Sequence, residues 1–143
     1  MLFPMISEEI ALAMGLGRAE AALRRRMEAL GAGIGYRDFL LLHELYTVQG
    51  ERLRVSDLAK RLVLTPSGVT RALLPLEKIG LVERIKNERD ARSSFVALTP
   101  AGHAKIEEAI PSAERIVSET FERALNPLDR VALIGFFERL GYL

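Results

Sequence analysis

The stretch that decides the reading is SDLAKRLVLTPSGVTRALLPLEKIGLVERIKNERDARSSFVALT, residues 56–99. Ser56 reads as the N-cap of a short helix over Asp57–Leu62, with Asp57 in the first turn, where a carboxylate suits the helix dipole. Thr65-Pro66 opens a second helix. The threonine hydroxyl caps free N–H groups, and proline costs nothing at a position whose N–H has no partner. Gly80 suits the left-handed residue just past a helix end, with Leu81 folding back to pack. Then the period changes. Leu81–Ile85 and Ser94–Leu98 are rich in strand formers and bracket a polar tip, Lys86–Ser93, which predicts an antiparallel hairpin with a charged loop.

On the N-terminal side, residues 6–30 carry Ile6, Ile10, Ala13, Met14, Leu23, Met27 and Leu30 at helical spacing. Gly15 and Gly17 predict a bend in that helix, and the glycines of GAGIG (31–35) end it. Arg24, Arg25 and Arg26 fan around the axis and so form solvated charge, not a basic face. Residues 36–48 form a helix with Phe39, Leu40, Leu42 and Leu45 as core, closed by Gln49-Gly50; Leu53-Arg54-Val55 is a short extended piece. On the C-terminal side two more capped prolines, Thr99-Pro100 and Asn126-Pro127, start the last helices. The first runs toward Ala124 with a kink expected at Pro111. The second, Pro127–Leu140, puts Leu128, Val131, Ile134, Phe137 and Leu140 along one side.

The 143 residues fit a single domain, and 49% hydrophobic with 27% charged residues is ordinary for a folded protein. No cysteine is present, which removes disulfides, thiolate catalysis and thiol redox sensing. No apolar run reaches the roughly 18 residues of a membrane span, and the start MLFPMISEEIALAM is a poor signal peptide, so a cytoplasmic protein is expected. Enzyme chemistry is not written here. There are two histidines, His43 and His103, the latter expected to be solvent-exposed, and no HExxH, GxSxG, P-loop or GxGxxG pattern. No metal site and no cofactor are expected.

The net charge of +1 hides an uneven distribution. Residues 51–100 hold ten Lys/Arg against six Asp/Glu, whereas both flanks are slightly acidic. A local field of this kind attracts phosphate, unless the charges only solvate the surface. A helix opening with Thr65-Pro66-Ser67-Gly68 presents free N–H groups and a positive dipole end. Ser67, Thr70 and Arg71 fall in its first two turns. Hydroxyls bond base edges, and arginine reads guanine through O6 and N7. Gly68 removes a side chain where backbone must come close. The hairpin tip adds Lys86, Arg89 and Arg92, where an arginine can enter a narrow minor groove, and Asp90 stands close enough to Arg92 to direct it. Pro75 falls inside the second helix. Either the helix kinks there or only its N-terminal half is regular.

Helix, turn, helix and basic hairpin in this order resemble the winged helix-turn-helix of the MarR family of bacterial transcription regulators. The residues that carry the resemblance are LRVSDLAKRL (53–62), TPSGVTRALLPLEKIGLVER (65–84) and DARSSFVALTPAG (90–102). The resemblance extends over nearly the whole chain through the order of the flanking helices. It implies a mostly α (α+β) fold with a two-stranded β-wing: one domain over 1–143, a DNA-binding lobe at 36–99, and dimerisation helices at 1–30 and 100–143. It further implies a homodimer on double-stranded DNA at an inverted repeat, expected to act as a repressor. The helix Pro66–Ile79 would lie in the major groove and the wing in the minor groove, with Arg92 as wing-tip arginine and Asp90 its orienting partner. Ser67, Thr70 and Arg71 match positions that face DNA. A small phenolic or anionic effector is common in the family. The candidates to meet one here are Phe39, His43 and Tyr46, with Arg18, unless these residues only pack the core. The competing expectation is a winged-helix module that binds protein and not DNA.

Overall fold

Capping chemistry sets most element boundaries in the computed structural model, which describes residues 7–49, 52–85 and 94–141. The order is α1 (Glu8–Met27), α2 (Tyr36–Thr47), β1 (Leu53–Arg54), α3 (Val55–Arg61), α4 (Pro66–Lys78), β2 (Val82–Ile85), β3 (Phe95–Leu98), α5 (Pro100–Ala124) and α6 (Pro127–Gly141). All three threonine- or asparagine-proline starts behave as expected. Thr65 Oγ1 accepts from Gly68 N at 3.1 Å, Thr99 Oγ1 from Gly102 N at 3.0 Å, and Asn126 Oδ1 from Asp129 N at 3.0 Å. Past α4, Gly80 takes φ +76°, and the Leu81 N–H donates to the Leu76 carbonyl at 2.9 Å while its side chain is buried.

The expected hairpin forms, with Val82 opposite Leu98 and Ile85 opposite Phe95. A third strand joins it. β1 pairs antiparallel with the other side of β3, giving the order β1-β3-β2. This pairing also explains a difference at α3. The Val55 N–H donates to the Ser94 carbonyl at 2.9 Å, so the chain passes directly from strand to helix at Val55. Ser56 therefore sits in the first turn of α3, exposed, and is not its N-cap.

Other expectations are adjusted by packing. Among the four apolar residues from Phe39 to Leu42, Leu41 is buried and Leu40 faces outward. α1 is uninterrupted through Gly15 and Gly17 and ends at Met27; Leu30 and Ile34 are buried from the following turn. α4 and α5 continue through Pro75 and Pro111. Both prolines are exposed residues, so each helix loses a backbone bond without a buried orphan, at a modest cost.

The core is drawn from α2, α3, α4, β3 and α5: Leu42, Leu45, Leu58, Val69, Leu73, Val96 and Ile106 are each essentially inaccessible. Each such burial stabilises by about 1.5–3 kcal/mol. In α4 the buried residues are Val69, Leu73 and Leu76, one stripe at helical spacing. That stripe fixes the rotation of α4 about its axis. α6, by contrast, buries no residue.

Candidate nucleic-acid interface

With Val69, Leu73 and Leu76 turned inward, the opposite side of the first two turns of α4 must face solvent. Thr65, Ser67 and Arg71 are exposed, and Gly68 and Thr70 are partly so. The Thr65 hydroxyl is engaged in the cap and lies 3.3 Å from Ser67 Oγ, so the two hydroxyls form a linked pair at the helix start. A Cβ at Gly68 would come within 3.1 Å of Thr65 Oγ1, so glycine here also makes room for the cap. Below this face, Glu77 Oε2 accepts from Arg84 Nε at 3.0 Å, which ties the base of the wing to α4. Arg54 stands over the Phe95 ring at 5.6 Å on the outer side of the sheet. The tip residues Lys86, Arg89, Asp90 and Arg92 lie outside the described residues.

One residue of this face was not foreseen from the sequence. Arg37, in the first turn of α2, lines a groove of about 490 Å³ together with Asp38, Gly68, Arg71, Ala72 and Pro75. No spacing in the sequence relates Arg37 to Arg71. Only the packing of the helices does.

The expected effector residues separate. His43 and Tyr46 line a second opening of about 460 Å³ with Thr47, Gln49 and His103. Phe39 is buried behind it and stacks on His43 with centroids 5.6 Å apart. Arg18 is exposed on α1 and lines neither opening. His103 is partly buried, not free in solvent, because Tyr46 meets it edge-on at 5.9 Å. The Tyr46 hydroxyl in turn donates to Glu107 Oε1 at 3.4 Å. Among the described residues, no group of three or more His, Asp or Glu could hold a metal ion, and no helix is long and apolar enough to cross a membrane.

The profile of the MarR family matches residues 35–94, from the start of α2 to the start of β3. The uncharacterised HTH-type transcriptional regulator YdgJ of Bacillus subtilis is 31% identical over 134 residues, which is 94% of this chain and 79% of YdgJ. The chain belongs to the MarR family. A shorter match, to the regulator YwhA of the same organism, spans 50% of that protein. Among solved structures, BpsR of Bordetella bronchiseptica superposes with a TM-score of 0.80 at 26% identity, covering 91% of this chain and 98% of BpsR. That structure concerns regulation of DNA binding by 6-hydroxynicotinic acid. Sco3205 of Streptomyces coelicolor, in complex with DNA, has a TM-score of 0.82 at 24% identity over 97% of this chain and 89% of its own, a likeness of fold. This MarR-family chain is thus a DNA-binding transcription regulator with a winged helix-turn-helix, and not an enzyme.

Proposed function

We propose that two copies of this MarR-family chain bind one inverted-repeat operator as a homodimer and repress by occupying it. The observation that carries the reading is the exposed N-terminal face of α4, presented by a helix whose opposite stripe is fully buried. Inserted in the major groove, that face offers Ser67, Thr70 and Arg71 to base edges and the helix start, Thr65 to Gly68, to a phosphate. The wing would add Lys86, Arg89 and Arg92 in the minor groove, with Asp90 directing Arg92. The lobe 36–99 binds; the segments 1–30 and 100–143 pair the copies.

Support for pairing comes from α6. Leu128, Val131, Ile134, Phe137 and Leu140 are 82, 71, 59, 50 and 47% exposed, and their three-residue spacing winds this apolar surface around much of α6, where a lone protomer would leave it in water. Ile10, Leu12 and Met14 of α1 and Phe121 of α5 are exposed as well. The Nε of Arg130 on α6 is buried and without a hydrogen-bond partner among the described residues. An effector enters through the opening at His43 and Tyr46, between α2 and α5. The regulator BpsR, with its 6-hydroxynicotinic acid, supports an aromatic acid or phenol as the ligand class. Such a ligand acts only by binding one dimer geometry better than the other. Gel-shift titration with selected duplexes, repeated with hydroxylated aromatic acids, tests the reading. Specific binding that weakens with one of them supports it. Absence of any specific complex at low salt overturns it.

A further inference from the structure

We propose that Arg37, at the start of α2, takes a backbone phosphate of the DNA strand beside the groove that α4 enters. The inference rests on the reading of α4 as the base-reading helix and extends it to a helix outside the helix-turn-helix.

Arg37 and Arg71 belong to different helices, yet they line one groove of about 490 Å³, and both are exposed. Among the described residues, neither guanidinium stands within ion-pair distance of a carboxylate, whereas Arg24, Arg61, Arg84 and Arg115 each do. The wall between them is Gly68, Ala72 and Pro75, none of which has a long side chain to fill the space. Two forked donors along an open channel suit an extended polyanion better than a compact one. Arginine is also the side chain that grips a phosphate through two parallel bonds. Arg71 lies on the face of α4 turned to the bases. Arg37 flanks it on α2 and is left to the strand beside the groove. Asp38 lines the same groove and opposes any anion there, so it lowers affinity without removing the site.

A phosphate contact and a base contact leave different signatures. Phosphate contacts weaken all sequences alike and set the salt slope; base contacts set preference. The experiment compares wild type, Arg37→Gln, Arg37→Lys, Asp38→Asn and Arg71→Ala on a selected operator and on random duplex over a salt series. Circular dichroism and thermal unfolding confirm that each variant is folded. Arg37→Gln should weaken both duplexes about tenfold and make the slope of log K against log salt shallower by about one, with Arg37→Lys retaining most of the binding. Asp38→Asn should tighten both duplexes severalfold. Arg71→Ala should reduce the preference for the operator instead. If Arg37→Gln matches wild type in affinity and slope while Arg71→Ala loses the operator, the assignment of Arg37 is wrong and the reading of α4 stands. If neither variant changes binding, both fall. Replacing chloride by inorganic phosphate at constant ionic strength tests the same guanidinium by competition. Phosphate should weaken DNA binding by wild type more than by Arg37→Gln, because both anions compete for one guanidinium; equal weakening of the two proteins overturns the assignment of Arg37 to DNA.

Discussion

Gly102 lies where α5 starts and the wing ends, and replacing it with alanine probes how the two are locked together. Its position is buried, and a Cβ built there falls 1.9 Å from the Leu81 carbonyl oxygen, 3.0 Å from the Leu81 carbonyl carbon and 3.2 Å from Leu98 Cδ2. Ordinary contact begins at 3.4 Å, so the oxygen must retreat by about 1.5 Å, the difference from 1.9 Å. Backbone cannot yield as a side-chain tip can. The Leu81 carbonyl also accepts from Thr99 N at 3.1 Å, and Thr99 Oγ1 bonds the Gly80 carbonyl, so the retreat breaks the seam that holds the wing to α5. A lost backbone bond costs about 0.5–1.5 kcal/mol, and forcing a methyl against buried Leu81 and Leu98 adds about 1–3 kcal/mol. Gly102→Ala should therefore destabilise by about 2–4 kcal/mol, lowering the melting temperature by roughly 6–12 °C. It should also weaken operator binding, because the wing is re-aimed. Thermal unfolding by circular dichroism and fluorescence anisotropy with a labelled duplex read both effects. A melting temperature within about 1 °C of wild type would refute the reasoning, since so small a shift corresponds to well under 1 kcal/mol.

Val63, between α3 and α4, has φ +53° and is 90% exposed, so its branched side chain is strained without packing in return. Val63→Gly should stabilise by about 1 kcal/mol, seen as a melting point roughly 3 °C higher, and an unchanged or lower value contradicts this. Ile134→Glu on α6 would be nearly neutral in a monomer, as surface changes are within about 0.5 kcal/mol. In the proposed dimer it buries a carboxylate, so light scattering should show a shift to monomer. A dimer undisturbed by it would remove the apolar surface of α6 from the interface. Burial pushes the Tyr36 phenol above its ordinary 10.0, the Glu20 carboxylate adds to that, and Arg24 acts in the opposite sense. A raised folded value means that this contribution is complete below the unfolded value and is lost as pH rises through the folded one. Tyr36→Phe should flatten the alkaline decline in denaturant midpoint, and an identical decline in both proteins argues against the assignment.

What was legible in the sequence was local chemistry. Thr65-Pro66, Thr99-Pro100, Asn126-Pro127 and Gly80 mark boundaries because a capping oxygen, a missing N–H and a left-handed φ act within a few residues. The alternation flanking the wing was legible for the same reason. The differences arose where distant parts of the chain decide. Ser56 has the chemistry of a cap, but β1 pairs with β3 up to Val55 and starts α3 two residues earlier. A two-residue strand carries no period of its own. Four adjacent apolar residues, Phe39 to Leu42, offer no polar gap to show which leucine turns out, and the neighbours of α2 choose Leu41 for the core. Pro75 and Pro111 signal a kink or a shortened regular helix by composition, and α4 and α5 run on past both at exposed positions. At the candidate site the α4 residues were legible from the cap outward. Arg37 and His103 were not, because each meets its neighbours only in the folded chain, Arg37 across a groove from α4 and His103 where α5 packs on α2.

The most direct test of the central claim is selection of duplexes from random DNA by the full chain, followed by footprinting of the selected sites. A symmetric homodimer reading through the N-terminal face of α4 should select an inverted repeat with half-sites about one helical turn, roughly 10 bp, apart. Arg71→Ala should relax the preference within each half-site. Recovery of no consensus, or of one that Arg71→Ala leaves unchanged, would contradict it.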